Sequence, residues 1–224
     1  MTDQFDTLRG LLDARHSCRA FLSDPVEDEV IARIVQAAGR APSWCNAQPW
    51  QVTVTRGAET ERFRRALLDA VRNDTPSPDL PWPERYPGAH GARRRECGLQ
   101  LYEAVGIARE DRAARAEQSM ENYRLFGAPH VAIVHSEAAL GPYGAMDTGG
   151  FVTAFMLAAT ALGVGSIAQA SVAAYAPFVR AHFDLPETRL ILCAISFGRP
   201  DPDHPANRFR TTRAALDEML DLRG

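Results

Sequence analysis

The run Asp147 to Gly163, DTGGFVTAFMLAATALG, is apolar on nearly every side. A helix of that kind has no face for water, so the fold has to be built around it, at the centre of the chain or in an interface between two copies. Its most apolar part, 151–165, is shorter than the ~20 residues that cross a bilayer, which makes it a buried helix rather than a membrane span. With 224 residues, 46% of them hydrophobic, the chain can bury one sizeable core and would be cramped as two domains. Residues 1–20 are polar and amphipathic, without the apolar block of a signal peptide, so the expectation is a soluble, cytoplasmic protein.

Around that helix the periodicity predicts further elements. Helices are expected over 3–14, 26–40, 60–72, across 93–124 and near 174–182, and strands over 50–55, 128–136, 166–169 and 190–197. Between the third and fourth helical regions, Asn73 to Gly91 carries Pro76, Pro78, Pro81, Pro83 and Pro87 together with Trp82 and Tyr86. No regular element tolerates that proline density, and the absence of a composition shift on either side favours a lid within one domain over a linker. From Arg199 onward a second proline-rich stretch, with Pro200, Pro202 and Pro205, reads as an arm that leaves the last strand and crosses onto a partner subunit. An amphipathic segment, 213–222, is expected to end it.

The charge pattern excludes several function classes. A net charge of -3 gives no bulk attraction to nucleic acid. All 25 basic residues are Arg, which rules out Schiff-base chemistry and a phosphate-loop lysine. Cys18, Cys45, Cys97 and Cys193 are widely spaced, without a CxxC pair or metal-ligand spacing to histidine, so reduced thiols and no metal are expected.

Three separated segments suit a phosphorylated planar cofactor. Arg15-His16-Ser17-Cys18-Arg19 offers two guanidinium groups and a hydroxyl, and Arg makes charge-assisted bidentate contacts to phosphate. Ala41 to Trp50, APSWCNAQPW, offers Ser43 and Asn46 for a heterocycle edge and Trp44 for its plane. Asn207 to Arg213, NRFRTTR, ends the arm with more cations. Each alone has an ordinary explanation: a solvated helix end, a turn satisfying its own backbone, an exposed tail.

The order RHSCR, APSWCNAQPW, GAPHVAIV, DTGGFVTAFMLAATALGVG, SFGRP and RFRTTRAALDEML resembles the FMN-dependent nitroreductase family over nearly the whole chain. The resemblance implies an α+β fold, with a central mixed, mostly antiparallel sheet flanked by helices and a C-terminal arm exchanged in a homodimer. It implies FMN held by Arg15, His16, Ser17 and Arg19, by Arg213 and Arg210 from the tail, and by the backbone of Gln169, Ala170 and Ser171. Pro42, Ser43, Trp44 and Asn46 match the loop that the other subunit brings to the flavin. Trp82 and Tyr86 of the lid, with Asn122 and Arg124, are candidate contacts for a small aromatic substrate. The implied activity is hydride transfer from NAD(P)H through the flavin to a nitroaromatic or quinone in ping-pong order, with no catalytic side chain. Reductive dehalogenation on the same fold ranks lower, because relatives with that activity use a lysine this chain lacks; a non-catalytic flavin-binding protein is the other alternative.

Overall fold

In the computed structural model, residues 3–224 are described, and four strands make one sheet in the order β1-β2-β4-β3. These are β1 (Trp50–Val54), β2 (His130–Glu137), β3 (Gly165–Gln169) and β4 (Arg189–Gly198). Every strand pair is antiparallel, with Val52 opposite Val134 and Ile167 opposite Ser196. The expected parallel component reduces to one isolated bridge, Ser17 to Ser166.

Eight α-helices cover the sheet among the described residues: α1 (Gln4–Ala14), α2 (Asp28–Ala38), α3 (Ala58–Asn73), α4 (Gly88–Ala104), α5 (Arg112–Met120), α6 (Gly141–Ala161), α7 (Ala170–Ala173) and α8 (Ala176–His182). Strand alternation sorts the core into two layers. Ala132 and Val134 of β2 and Ile195 and Phe197 of β4 point to Ile34 of α2 and Phe151 and Phe155 of α6. Val131 and Ile133, with Ile191 and Ala194, point the other way to Phe63 and Leu67 of α3 and Val179 of α8. Both faces of β2 are therefore buried, which is why GAPHVAIV reads as a continuous apolar run.

Helix α6 starts at Gly141, six residues before the expected point, with Pro142 in its first turn. Its buried positions, Gly144, Thr148, Phe151, Phe155 and Ala159, form one stripe, while Met146 is 64% exposed. The expected burial on every side is therefore not reached within one chain, since Tyr143, Met146, Gly149, Gly150 and Thr153 stay exposed.

Three expectations need correction. The helical region 93–124 is two helices: Gly106 takes a positive φ of 70°, a conformation glycine adopts freely, and α4 stops there. Helix α4 also begins at Gly88, so it takes the end of the proline-rich stretch. The 213–222 segment is extended apart from a single 3-10 turn, Leu216–Glu218, with Leu216, Met219 and Leu222 exposed. A short helix without a core to pack on does not hold itself together.

Candidate functional site

Helix α1 ends at Arg15, where the backbone turns extended. The following residues run along the sheet edge, with the Cys18 amide donating to the Ser166 carbonyl at 3.1 Å. Beyond β4 the chain doubles back against this segment, the Leu22 amide bonding Arg199 O at 2.9 Å. Asn207, 7% exposed, then pins the tail in place. Its Nδ2 donates to the carbonyls of Ala20 and Asp201 at 2.9 and 2.8 Å, and its Oδ1 accepts from the Arg19 amide at 2.7 Å. All three backbone groups are satisfied by one side chain, which fixes the tail against residues almost 190 positions earlier.

The result is a cleft of about 220 Å³ between the first and last parts of the chain. Arg15, His16, Ser17 and Arg19 form one wall, Phe209, Arg210, Thr211 and Arg213 the other, and Cys97 of α4 lies between. Arg19 also sits over the Phe209 ring at 5.2 Å. The acceptors of these cations are neutral: Arg210 donates to Asn207 O and Phe209 O, Arg213 to Thr211 Oγ1 and Thr212 O, and Arg19 to Ser17 O. Among the described residues, none of Arg15, Arg19, Arg210 or Arg213 has a carboxylate partner.

Asp13 also lines the cleft but pairs with none of these cations, so four guanidinium groups face one carboxylate and the cleft keeps an excess of positive charge. Burial first, and then the charge of Arg213, lower the Arg15 pKa. His16 is lowered by burial, partly offset by its bond to Ala14 O, and lowered further by Arg210, Arg15 and Arg19. Such a cleft calls for an anion with several oxygens. It offers no nucleophile from Cys18 beneath it, whose thiol is pushed up to about 11, chiefly by burial.

The other sequence candidates lie elsewhere in the chain. Ser43, Trp44 and Asn46 belong to a strained turn in which Cys45, Asn46 and Gln48 all hold positive φ, at 51°, 56° and 48°. Non-glycine residues persist there only when their surroundings over-determine them. Here the Trp44 amide donates to Asp147 Oδ2 and the Gln48 amide to Ser43 Oγ, both at 2.9 Å, and Trp44 packs edge-on against Tyr143 at 4.6 Å. This turn borders a separate cavity of about 280 Å³ that shares no lining residue with the arginine cleft. Within one chain, Pro42, Ser43, Trp44 and Asn46 are therefore not brought to the cations.

Gln169 ends β3 with its carboxamide turned inward, accepting from Ser196 Oγ and donating to Asn122 O at 2.6 Å. Contacts from this segment thus fall to Ala170 and to Ser171, whose buried Oγ has no hydrogen-bond partner among the described residues. Asn122 donates to Ser119 O, and Arg124 is held by Glu117 and Glu121. Trp82 and Tyr86 are about half exposed, and Tyr86 lies under the Arg94 guanidinium at 5.1 Å. The proline-rich stretch is anchored at its start, where Asp79 accepts from Arg180 at 2.6 Å and from the Ile191 amide at 2.7 Å. At its end a Cβ on Gly91 would come within 2.6 Å of Tyr86 O, so only glycine fits.

Sequence reasoning missed the roles of Asn207 and Cys97. The signal for Asn207 was a lone amide inside a proline-rich polar arm, which reads as exposed until the fold buries it. Cys97, on a helix of weak amphipathicity, carried no signal.

An α+β sheet along whose edge two arginine-bearing segments meet presents a cationic cleft suited to a phosphorylated ligand. The chain belongs to the nitroreductase family: the profile described as "Nitroreductase family" matches residues 12–199. It is 37% identical over 209 residues to nitroreductase NfnB of Mycolicibacterium smegmatis, covering 93% of this chain and 89% of that protein. It is 31% identical to a 4-nitrobenzoate reductase of Pseudomonas putida, covering 95% and 92%. The crystal structure of the FMN-dependent nitroreductase NfnB from Mycobacterium smegmatis in complex with NADPH superposes with a TM-score of 0.94 at 35% identity, covering 99% of this chain and 100% of that one.

Proposed function

We propose that the chain is an FMN-dependent oxidoreductase that carries hydride from NADPH or NADH to a nitroaromatic, quinone or similar electron-poor small molecule. The observation that carries this reading is the convergence of Arg15, Arg19, Arg210 and Arg213, none of them ion-paired, on one cleft. When bound, FMN supplies the two-electron redox chemistry, and the protein supplies binding, orientation and electrostatics. The four arginines, with His16 and Ser17, hold the phosphate. The backbone of Gln169, Ala170 and Ser171 is the group to meet the heterocycle, and the inward-turned Gln169 carboxamide keeps that backbone in place. Nicotinamide and acceptor take turns at one place, which gives ping-pong kinetics.

The working unit in this reading is a homodimer of single-domain subunits. Supporting it are the exposed Tyr143 and Met146 of α6 and a strained 43–48 turn that lies outside its own chain's cleft. Pro42, Ser43, Trp44 and Asn46 then serve the cofactor of the second copy, while the 199–224 tail, expected to cross onto that copy, lies against its own chain through Asn207 and Glu218. Trp82 and Tyr86 act as the aromatic part of a lid hinged at Asp79, with Asn122 and Arg124 flanking the substrate. No described helix is long and apolar enough to cross a membrane, and the four cysteines are free; both fit work in the cytoplasm.

The test is anaerobic. NADPH should bleach the visible flavin absorbance of the purified protein, and a nitroaromatic should restore it. A protein that neither carries nor takes up FMN would refute the reading.

A further inference from the structure

A second cavity, of about 470 Å³, opens between the middle turns of α4 and the tail. It adjoins the phosphate cleft, since Cys97, Thr211 and Arg213 line both. Its additional cations are Arg93 and Arg94, and its carboxylates are Glu218 and Glu96, the latter accepting from Gln100 at 3.3 Å. Arg93 Nη2 lies 2.6 Å from Glu218 Oε2, with the two side chains 44% and 49% exposed. The other Glu218 oxygen accepts the Ala215 amide at 3.2 Å. Arg94 has no carboxylate partner among the described residues and spreads over the Tyr86 ring instead.

The tail thus places its own carboxylate on a guanidinium at the mouth of a nucleotide-sized cavity. A half-exposed pair of this kind is weakly held, and a phosphate monoester, with more charge and more acceptor oxygens than a carboxylate, replaces it well. NADPH differs from NADH in one such group, the phosphate on the adenosine ribose. Building on the reductant proposed above, we infer that this cavity receives the 2′-phosphate of NADPH. Arg93 and Arg94 bind it, Glu218 is the internal carboxylate it displaces, and the chain prefers NADPH to NADH on that account.

Two substitutions read the site with opposite signs. Arg93→Gln should raise the KM for NADPH about tenfold, the size of one lost charge-assisted contact, and leave that for NADH within about twofold. Glu218→Gln keeps an acceptor for the Ala215 amide but removes the competing charge, so the KM for NADPH should fall while that for NADH stays. Calorimetry on the protein with adenosine 2′,5′-bisphosphate and with AMP gives a readout independent of turnover. The bisphosphate should bind more tightly, and Arg93→Gln should remove the difference. Equal binding of the two nucleotides overturns the inference, as does a parallel change in both KM values or an effect confined to carboxylate-bearing acceptors. If neither nicotinamide bleaches the flavin, the proposed function fails, and the calorimetric comparison still decides whether the cavity binds a 2′-phosphate.

Discussion

Two groups of arginines meet opposite ends in this fold. Arg180 is paired with Asp79 at 2.6 Å, with side chains 10% and 12% exposed, and its guanidinium also reaches Arg189 O and Glu187. Arg15, Arg19, Arg210 and Arg213 face one another across a cleft with only carbonyls and a hydroxyl as acceptors. The charge of Arg180 is consumed internally, tying the proline-rich stretch to α8 and β4. The charge of the other four is left over, at the cost of mutual repulsion, and so is available to a ligand. Arginine count alone does not mark a site; the location of the carboxylates does.

The largest effect expected from breaking this comparison is on the paired side. Asp79→Ala leaves a nearly buried cation unpaired and should destabilise the fold by about 3 kcal/mol, read as a lower denaturant midpoint. It should also free the start of the lid. On the unpaired side the same kind of change should do the reverse. Arg213→Ala should leave the midpoint unchanged or slightly raised and weaken FMN by about 2 kcal/mol, measured by fluorescence titration. A drop in stability without loss of FMN affinity would mean that the cleft arginines are structural.

Histidines sharpen the contrast further. His135, on β2 with an unpartnered Nδ1, is lowered to about 4 by burial and then by Arg189. Between its ordinary value near 6.5 and about 4, the unfolded chain binds a proton that the folded chain does not. Stability contributed here is complete above that window and declines as pH falls through it. His135→Leu, which cannot be protonated, should flatten the pH dependence of the unfolding midpoint.

The smallest effect concerns His16, also lowered, whose neighbours are the cleft arginines. A phosphate bound among them offsets their charge, so FMN should raise the His16 pKa and leave His135 unmoved. Proton NMR titration with and without FMN checks both.

How far the sequence carried the fold depends on where each signal was local. The four strands and helices α2 and α3 follow from periodicity, because their buried faces repeat within a few residues; α1 shows the same apolar spacing but buries none of it within the chain. Helix α6 was recognised by its apolarity but misplaced at its start, since GPYGAM carries no apolar stripe and its helicity comes from packing on the 138–140 turn and the sheet. The tail failed for the converse reason: Leu216, Met219 and Leu222 have helical spacing but no core in the chain to meet. Within the site, the RHSCR and RFRTTR clusters were visible as arginine-rich motifs. Their meeting was expected through the family resemblance, not from local pattern; the contact that makes it, Asn207, is long-range and has no local signature. The commitment of Gln169 to Ser196 and Asn122 was invisible for the same reason.

The central claim is that the arginine cleft holds the phosphate of FMN, and comparison of FMN with riboflavin tests it most directly. Riboflavin has the same ring and side chain but no phosphate. Equilibrium titration of the flavin-free protein should give FMN at least about a hundredfold tighter binding, from two or more charge-assisted contacts. That advantage should shrink about tenfold or more in Arg15→Ala and again in Arg213→Ala. Equal affinity for the two flavins, or an FMN advantage that survives loss of both arginines, would contradict the account.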